Sequence, residues 1–181
     1  MSFFKHFSQR WHQLPDGDRV LLCNITRRVT IDAAAKENQT ILLKHRIAGN
    51  ETPMVLSYRL YGTTDYWWTV LLVNDIHDPV EGWPLNEREL EEYIIAKYGD
   101  ARYKVHHWVD VDGNVTDPRA VKIFNGFSSE REAAQAMSLE PITNDEYEVM
   151  ANDAKREINL IDPIYIDTFG RELERVMNNE Q

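Results

Sequence analysis

Apolar positions along this chain come in short blocks separated by stiff polar turns, and each block carries its own period. Phe3, Phe4, Phe7 and Trp11 recur at helical spacing, giving one aromatic face on a short N-terminal segment. Leu14-Pro15-Asp16-Gly17 then forces a turn. Residues 19–23 and 40–47 read as strands, with a loop or short helix over 32–38 between them. After the Gly49-Asn50 turn, Thr52 fits a helix N-cap and Pro53 the first helical position, where its missing N–H costs little. That helix carries Val55, Leu56, Arg59 and Leu60 and ends at Tyr61-Gly62, the glycine able to close it in the left-handed conformation.

Thr64 can cap a second helix, with Asp65 near its positive end. Trp67, Val70 and Leu71 make one face and Trp68 and Leu72 widen it, so this helix is predicted to be buried on more than one side. Asn74-Asp75 stops it, and Gly82-Trp83-Pro84 makes a stiff bend. Asn86 with Glu89 forms a capping-box pattern for the clearest helix, whose stripe is Leu90, Tyr93, Ile94 and Tyr98. Residues 103–111 read as a strand, Asp112-Gly113 as a hairpin turn, and a second strand should follow from Val115. Residues 117–128 are irregular, with a short strand expected at 121–124. Ser129 with Glu132 starts a helix to about Met137, and Pro141 breaks it. Thr143 with Glu146 caps another, with Tyr147, Met150, Ala151 and Ala154 on one face. Leu160-Ile161 is a short extended link. Asp162-Pro163 opens a last helix striped by Ile166, Phe169, Leu173, Val176 and Met177.

A chain of 181 residues that is 43% hydrophobic, with five Trp, eight Tyr and six Phe, can build a core. A net charge of −10 repels phosphate backbones and argues against a nucleic-acid binder. The charge is uneven: residues 1–50 carry +4, while 51–120 and 121–181 carry −7 each. A basic head and an acidic body could attract each other between copies or partners, or could be solvated surface. The lone Cys23 sits in an apolar run, allows no internal disulfide and suits a reducing cytoplasm. The N-terminus lacks the pattern of a signal peptide, and no apolar run approaches a membrane span, so no membrane association is expected.

Little chemistry survives inspection. His106 and His107 are adjacent on a predicted strand, so they should point to opposite faces and not share an ion. Asp110-Val111-Asp112-Gly113-Asn114 lacks the remaining ligands of a calcium loop and is better read as a turn. His77-Asp78 has no nucleophile in a strained turn nearby, and Asp78-Pro79 more simply begins a turn. Glu87, Glu89, Glu91 and Glu92 are the wet face of a capped helix. The eight glycines form no phosphate-binding loop. No catalytic residue, cofactor, metal or small-molecule substrate is expected, and an enzyme on an unrecognised fold remains a residual reading.

The pairs Tyr61-Gly62, Tyr66-Trp67, Leu71-Leu72, Asn74-Asp75, Asp78-Pro79, Gly82-Trp83 and Lys97-Tyr98 fall in order over 38 residues. This series resembles the base-plate wedge proteins of contractile-tailed bacteriophages, the wedge protein 53 family, which carries a LysM-like core. The order strand, turn, helix ending in Tyr-Gly, second helix, Asn74-x-Ile76-x-Asp78-Pro79 is similar to a LysM module. The departure is Gly82-Trp83-Pro84-Leu85, which leads at once into a charged helix.

The resemblance implies an α+β fold: a small LysM-like βαα core with an added helix and β-hairpin, plus extended N-terminal and C-terminal helical arms. The expected division is 1–39 as arm and strand region, 40–115 as LysM-like core with following helix and hairpin, and 116–181 as irregular linker and C-terminal helices. It implies a structural subunit that joins wedge subunits around the tail tube, with other wedge proteins and neighbouring copies as partners. Its location would be the virion tail base plate, after synthesis in the host cytoplasm. Phe3, Phe4, Phe7 and Trp11, and Ile166, Phe169, Leu173 and Val176, are the expected partner-binding positions, although either apolar segment could instead cover its own domain. The LysM-like pattern also admits a peptidoglycan- or chitin-binding module, with its glycan in the loops at 49–52 and 75–76.

Overall fold

The computed structural model describes residues 6–24, 30–31 and 40–178. Phe3 and Phe4, and the loop or short helix expected over 32–38, lie outside these. The described residues form an α+β structure with three two-stranded antiparallel sheets. They divide into two compact units, one made of Met1–Trp83 with Arg156–Gln181 and the other of Pro84–Lys155. The three-part division at 39/40 and 115/116 cuts the chain at other places.

In the first unit, β1 (Gln9–Gln13) pairs with β2 (Arg19–Cys23), Trp11 opposite Leu21. The helical spacing of Phe7 and Trp11 is therefore not realised. The Leu14–Asp18 turn, with Gly17 at φ 93°, folds the segment into a ribbon, and each strand takes its hydrogen bonds from the other. β3 (Leu42–Arg46) pairs with β6 (Glu157–Ile161), a five-residue strand where only a short link was expected. Over this ribbon lie α1 (Pro53–Tyr61) and α2 (Trp67–Val73). Thr52 caps α1 and Gly62 closes it at φ 74°. Thr63, not Thr64, caps the 3-10 turn Thr64–Tyr66 that leads into α2.

Trp68, Thr69, Val70, Leu71 and Val73 of α2 are all buried. Val70 packs with Ile47, Leu56, Ile158 and Leu160. Val73 packs with Leu42, Ile161 and Ile166. Trp68 packs with Leu173 and Met177, against which Phe7 and Phe169 are partly buried. The last two groups depend on α8 (Ile166–Asn178), which follows a 3-10 turn at Pro163–Tyr165. α3 (Pro79–Gly82) is a single turn capped by Asp78.

The second unit contains α4 (Glu87–Tyr98), β4 (Val105–Val109), α5 (Pro118–Asn125), α6 (Glu130–Ala136), β5 (Glu140–Thr143) and α7 (Asn144–Ala154). The capping boxes of α4 and α7 form as the sequence predicts. The hairpin after β4 does not develop. Its turn forms, with Asp110 accepting from the Asp112 and Asn114 amides, but pairing stops at one bridge, Val109 to Val115. Asp117 already caps α5 and Pro118 sits in its first turn, so the chain turns helical where a strand was expected over 121–124. The ladder of β4 is made instead with β5, and Pro141 lies inside it, opposite Trp108.

Candidate functional site

Each motif residue of the 58–98 stretch has a structural task. Tyr61 donates its hydroxyl to the Ile161 carbonyl at 2.8 Å. Burial pushes that phenol up to about 12, against the hydrogen bonds at its oxygen. Tyr66 donates to Asp167 Oδ1 at 2.8 Å, tying the turn before α2 to the first turn of α8. Trp67 is partly buried against the Trp68–Leu173–Met177 group. Asn74 grips Asn159: its Oδ1 accepts from the Asn159 amide at 2.8 Å, and its Nδ2 donates to the Asn159 carbonyl at 2.8 Å and to Val70 O at 2.7 Å. Asp78 accepts from the Val80 amide at 2.8 Å at the N-terminus of α3, with Pro79 in that first turn.

Gly82 has no room for a side chain, because a Cβ there would lie 2.7 Å from Ile76 Cγ2. Trp83 donates its indole N–H to the Glu51 carbonyl at 2.9 Å. The Glu51 carboxylate in turn accepts from the Ala48 amide at 3.0 Å, from His45 at 2.8 Å and from Arg59. Burial would raise this carboxyl, but those hydrogen bonds and the Arg59 charge outweigh it and hold it below its usual range.

The expected partner-binding positions are distributed unequally. Ile166 and Leu173 are buried within their own unit, and Phe169 is partly buried there. Phe7 also packs on the Trp68 group. Val176 is 40% exposed, and Met177 takes the inward place beside it. α8 is thus a core element of its unit rather than a free arm. Trp11 is 64% exposed, Leu21 46% and Leu22 49%, so the β1–β2 ribbon presents large apolar side chains on both faces.

Sequence reasoning missed the polar interior of the second unit. α7 does not turn Tyr147 and Met150 inward; its buried residues are Glu148 and Asn152. Asn152 repeats the grip of Asn74, accepting from the Leu85 amide at 2.8 Å and donating to the Leu85 carbonyl at 3.0 Å. Glu148 accepts from Lys97 Nζ at 2.8 Å and from the Tyr98 hydroxyl at 2.7 Å. Its burial raises the carboxyl, but these two hydrogen bonds and the charges of Lys97 and His106 bring it below the ordinary glutamate range. Arg102 bridges both Glu91 oxygens, at 2.6 and 3.0 Å, to Asp145 at 2.5 Å. The recurrence of Asn144, Glu148 and Asn152 every fourth residue was the available signal, but polar residues at helical spacing ordinarily mark the wet face.

His106 and His107 are not held apart. A register shift between Val105 and His107 brings their Nδ1 atoms to 2.8 Å, and His106 stacks on Tyr147 with ring centres 3.9 Å apart. Among the described residues no group of three or more His, Cys, Asp or Glu is placed to hold a metal ion. Nor is any described helix long and apolar enough to cross a membrane.

The motif residues hold segments of the first unit together, and the β1–β2 ribbon turns apolar side chains outward, an arrangement suited to a structural subunit. The family described as base plate wedge protein 53 matches residues 35–176, and the chain belongs to that family. It is 25% identical over 147 residues to the baseplate wedge protein gp53 of Enterobacteria phage T4, spanning 75% of this chain and 74% of that one. The chain is accordingly a structural component of a phage tail base plate.

Proposed function

We propose that this wedge protein joins wedge subunits around the tail tube, after synthesis in the host cytoplasm, and that it does so by burying its β1–β2 ribbon on a neighbouring base-plate subunit. The observation that carries this reading is the exposure of Trp11, Leu21 and Leu22 on a two-stranded ribbon. An isolated hairpin is marginally stable in water, and its apolar side chains gain most by burial on a partner. Phe3 and Phe4, adjoining this ribbon in sequence, belong to the same proposed surface, as does the exposed Val176 of α8. Ile166, Phe169 and Leu173 support it indirectly by holding the unit together. The reading needs no substrate and no cofactor.

The test is complementation of a phage lacking this subunit with a Trp11→Lys/Leu21→Glu double variant, which leaves opposite charges across the ribbon. These exposed substitutions leave thermal unfolding of the purified chain within about 0.5 kcal/mol of the parent. Tails carrying complete base plates, counted by electron microscopy, should fall to the level of the deletion. Normal tail numbers would remove the ribbon from the interface. The peptidoglycan- or chitin-binding alternative has no supporting observation. The Glu51 side chain in its expected loop is engaged by Ala48, His45 and Arg59.

A further inference from the structure

β4 is an edge strand, and its free edge borders a cleft. On one side β4 pairs with β5; on the other, among the described residues, pairing ends at the Val109–Val115 bridge and the bond from the Thr116 amide to the Trp108 carbonyl at 2.9 Å. One residue further on, Asp117 caps α5 and the chain turns helical. The segment 116–119 therefore parts from 105–108 instead of continuing the ladder. A cleft of about 940 Å³ is lined by both segments and by α6. Trp108, Leu139 and Pro141 contribute apolar surface, and Arg119, Glu130 and Arg131 line it with charge.

Those charges are unevenly used. Arg119 pairs with Glu130 at 3.5 Å, and the Asp117 carboxylate accepts from the Arg119 amide at 2.9 Å. Arg131 has no ion pair or hydrogen bond among the described residues, which leaves a cation lining the cleft without a carboxylate partner there.

We propose that this cleft receives an extended polypeptide segment of a partner, added as a third strand on the free edge of β4 and carrying a carboxylate that pairs with Arg131. An exposed strand edge supplies main-chain hydrogen bonds in the direction of the missing neighbour, and an adjoining pocket supplies side-chain selection. Five residues of such a segment would run about 17 Å along β4. The inference is independent of the β1–β2 surface and would survive its failure.

The test is an amide chemical-shift titration of the full chain with the blocked peptide Thr-Val-Glu-Val-Thr, its Glu→Lys counterpart, and the parent peptide N-methylated at all five residues. The acidic peptide should shift the Val105–Trp108 amides at millimolar concentration. The lysine peptide should bind roughly fivefold more weakly, the scale of one exposed ion pair. The methylated peptide, which cannot donate to a strand edge, should leave those amides unmoved. Arg131→Glu, an exposed change in the first turn of α6, should reverse the charge preference while the spectrum stays folded. The proposal is overturned by an unshifted β4, by equal binding of the methylated peptide, or by a charge preference that Arg131→Glu leaves intact.

Discussion

Two asparagines, Asn74 and Asn152, each hold one residue of a neighbouring segment by both its amide and its carbonyl. A side-chain amide sets a donor and an acceptor side by side in one plane, a pairing that its isosteres Asp and Leu lack. Asn74→Asp keeps the acceptor facing the Asn159 amide but turns the second oxygen on two carbonyls, Val70 and Asn159. Thermal denaturation at neutral pH should show Asn74→Asp losing roughly 2–4 kcal/mol, at least as much as Asn74→Ala, because a half-buried anion then faces acceptors only. Parity of Asn74→Asp with the parent would show that the grip on β6 is dispensable. At Glu148 the prediction concerns pH. Its folded carboxyl lies below the value it takes when unfolded, so the stabilisation is present above the unfolded range and is lost as pH falls through the folded one. Glu148→Gln should be less stable than the parent at pH 7, and the difference should narrow on acidification below the ordinary glutamate range. Unfolding midpoints in urea across that range check the sign. A gap that widens in acid would mean that Lys97 and Tyr98 do not hold the charged form.

At the scale of elements, α8 separates packing from exposure within one turn. Leu173 is 5% exposed against Trp68 and Met177, whereas Val176 is 40% exposed. Leu173→Ala should cost about 2–5 kcal/mol and Val176→Ala under about 1. Equal losses would mean that the helix face is assigned wrongly. For the same reason, truncation after Ile161 should unfold the first unit rather than release a folded core, because Ile166, Leu173 and Met177 complete its apolar groups. The elements legible in the sequence were those with local causes: the Thr52, Asn86 and Thr143 caps, the Gly62 stop, and the buried girth of α2. What could not be read was decided by distant partners. Residues 157–161 become a strand because β3, more than a hundred residues earlier, lies beside them. Trp11 reads equally well on a helix until the turn at 14–18 supplies β2. Spacing along the chain singles out the motif residues but not their tasks. Asn74 looked like a helix stop and is also the clamp on β6, a role that spacing along one segment cannot encode.

Over the whole molecule, polar contacts occur in both units, but apolar clustering is concentrated in one. Among the described residues, the three buried apolar groups, around Val70, Val73 and Trp68, all lie in the unit built from both ends of the chain. The contiguous unit buries Ile94, Ala133, Ala134 and Leu139, and it adds the Lys97–Glu148–Tyr98 and Glu91–Arg102–Asp145 networks and the Asn152 grip. Each ion network opens to solvent at one end, at Lys97 or at Glu91, and pairs in contact with water contribute little net and weaken with salt and with protonation. Apolar burial responds to neither in that way. Native-state hydrogen exchange, corrected for intrinsic rates, should therefore find the deepest protection in β3, β6 and α2. α4 and α7 should open at lower free energy, and their opening should become easier on acidification through the depressed range of Glu148 and Glu91, whereas in the first unit the corresponding pH dependence is confined to the Glu51 contacts. Uniform protection across both sets, falling together with pH, would make the chain a single cooperative block. A separate response would mean that this base-plate subunit carries one unit set by its apolar core and a second whose rigidity depends on the ionic conditions of assembly.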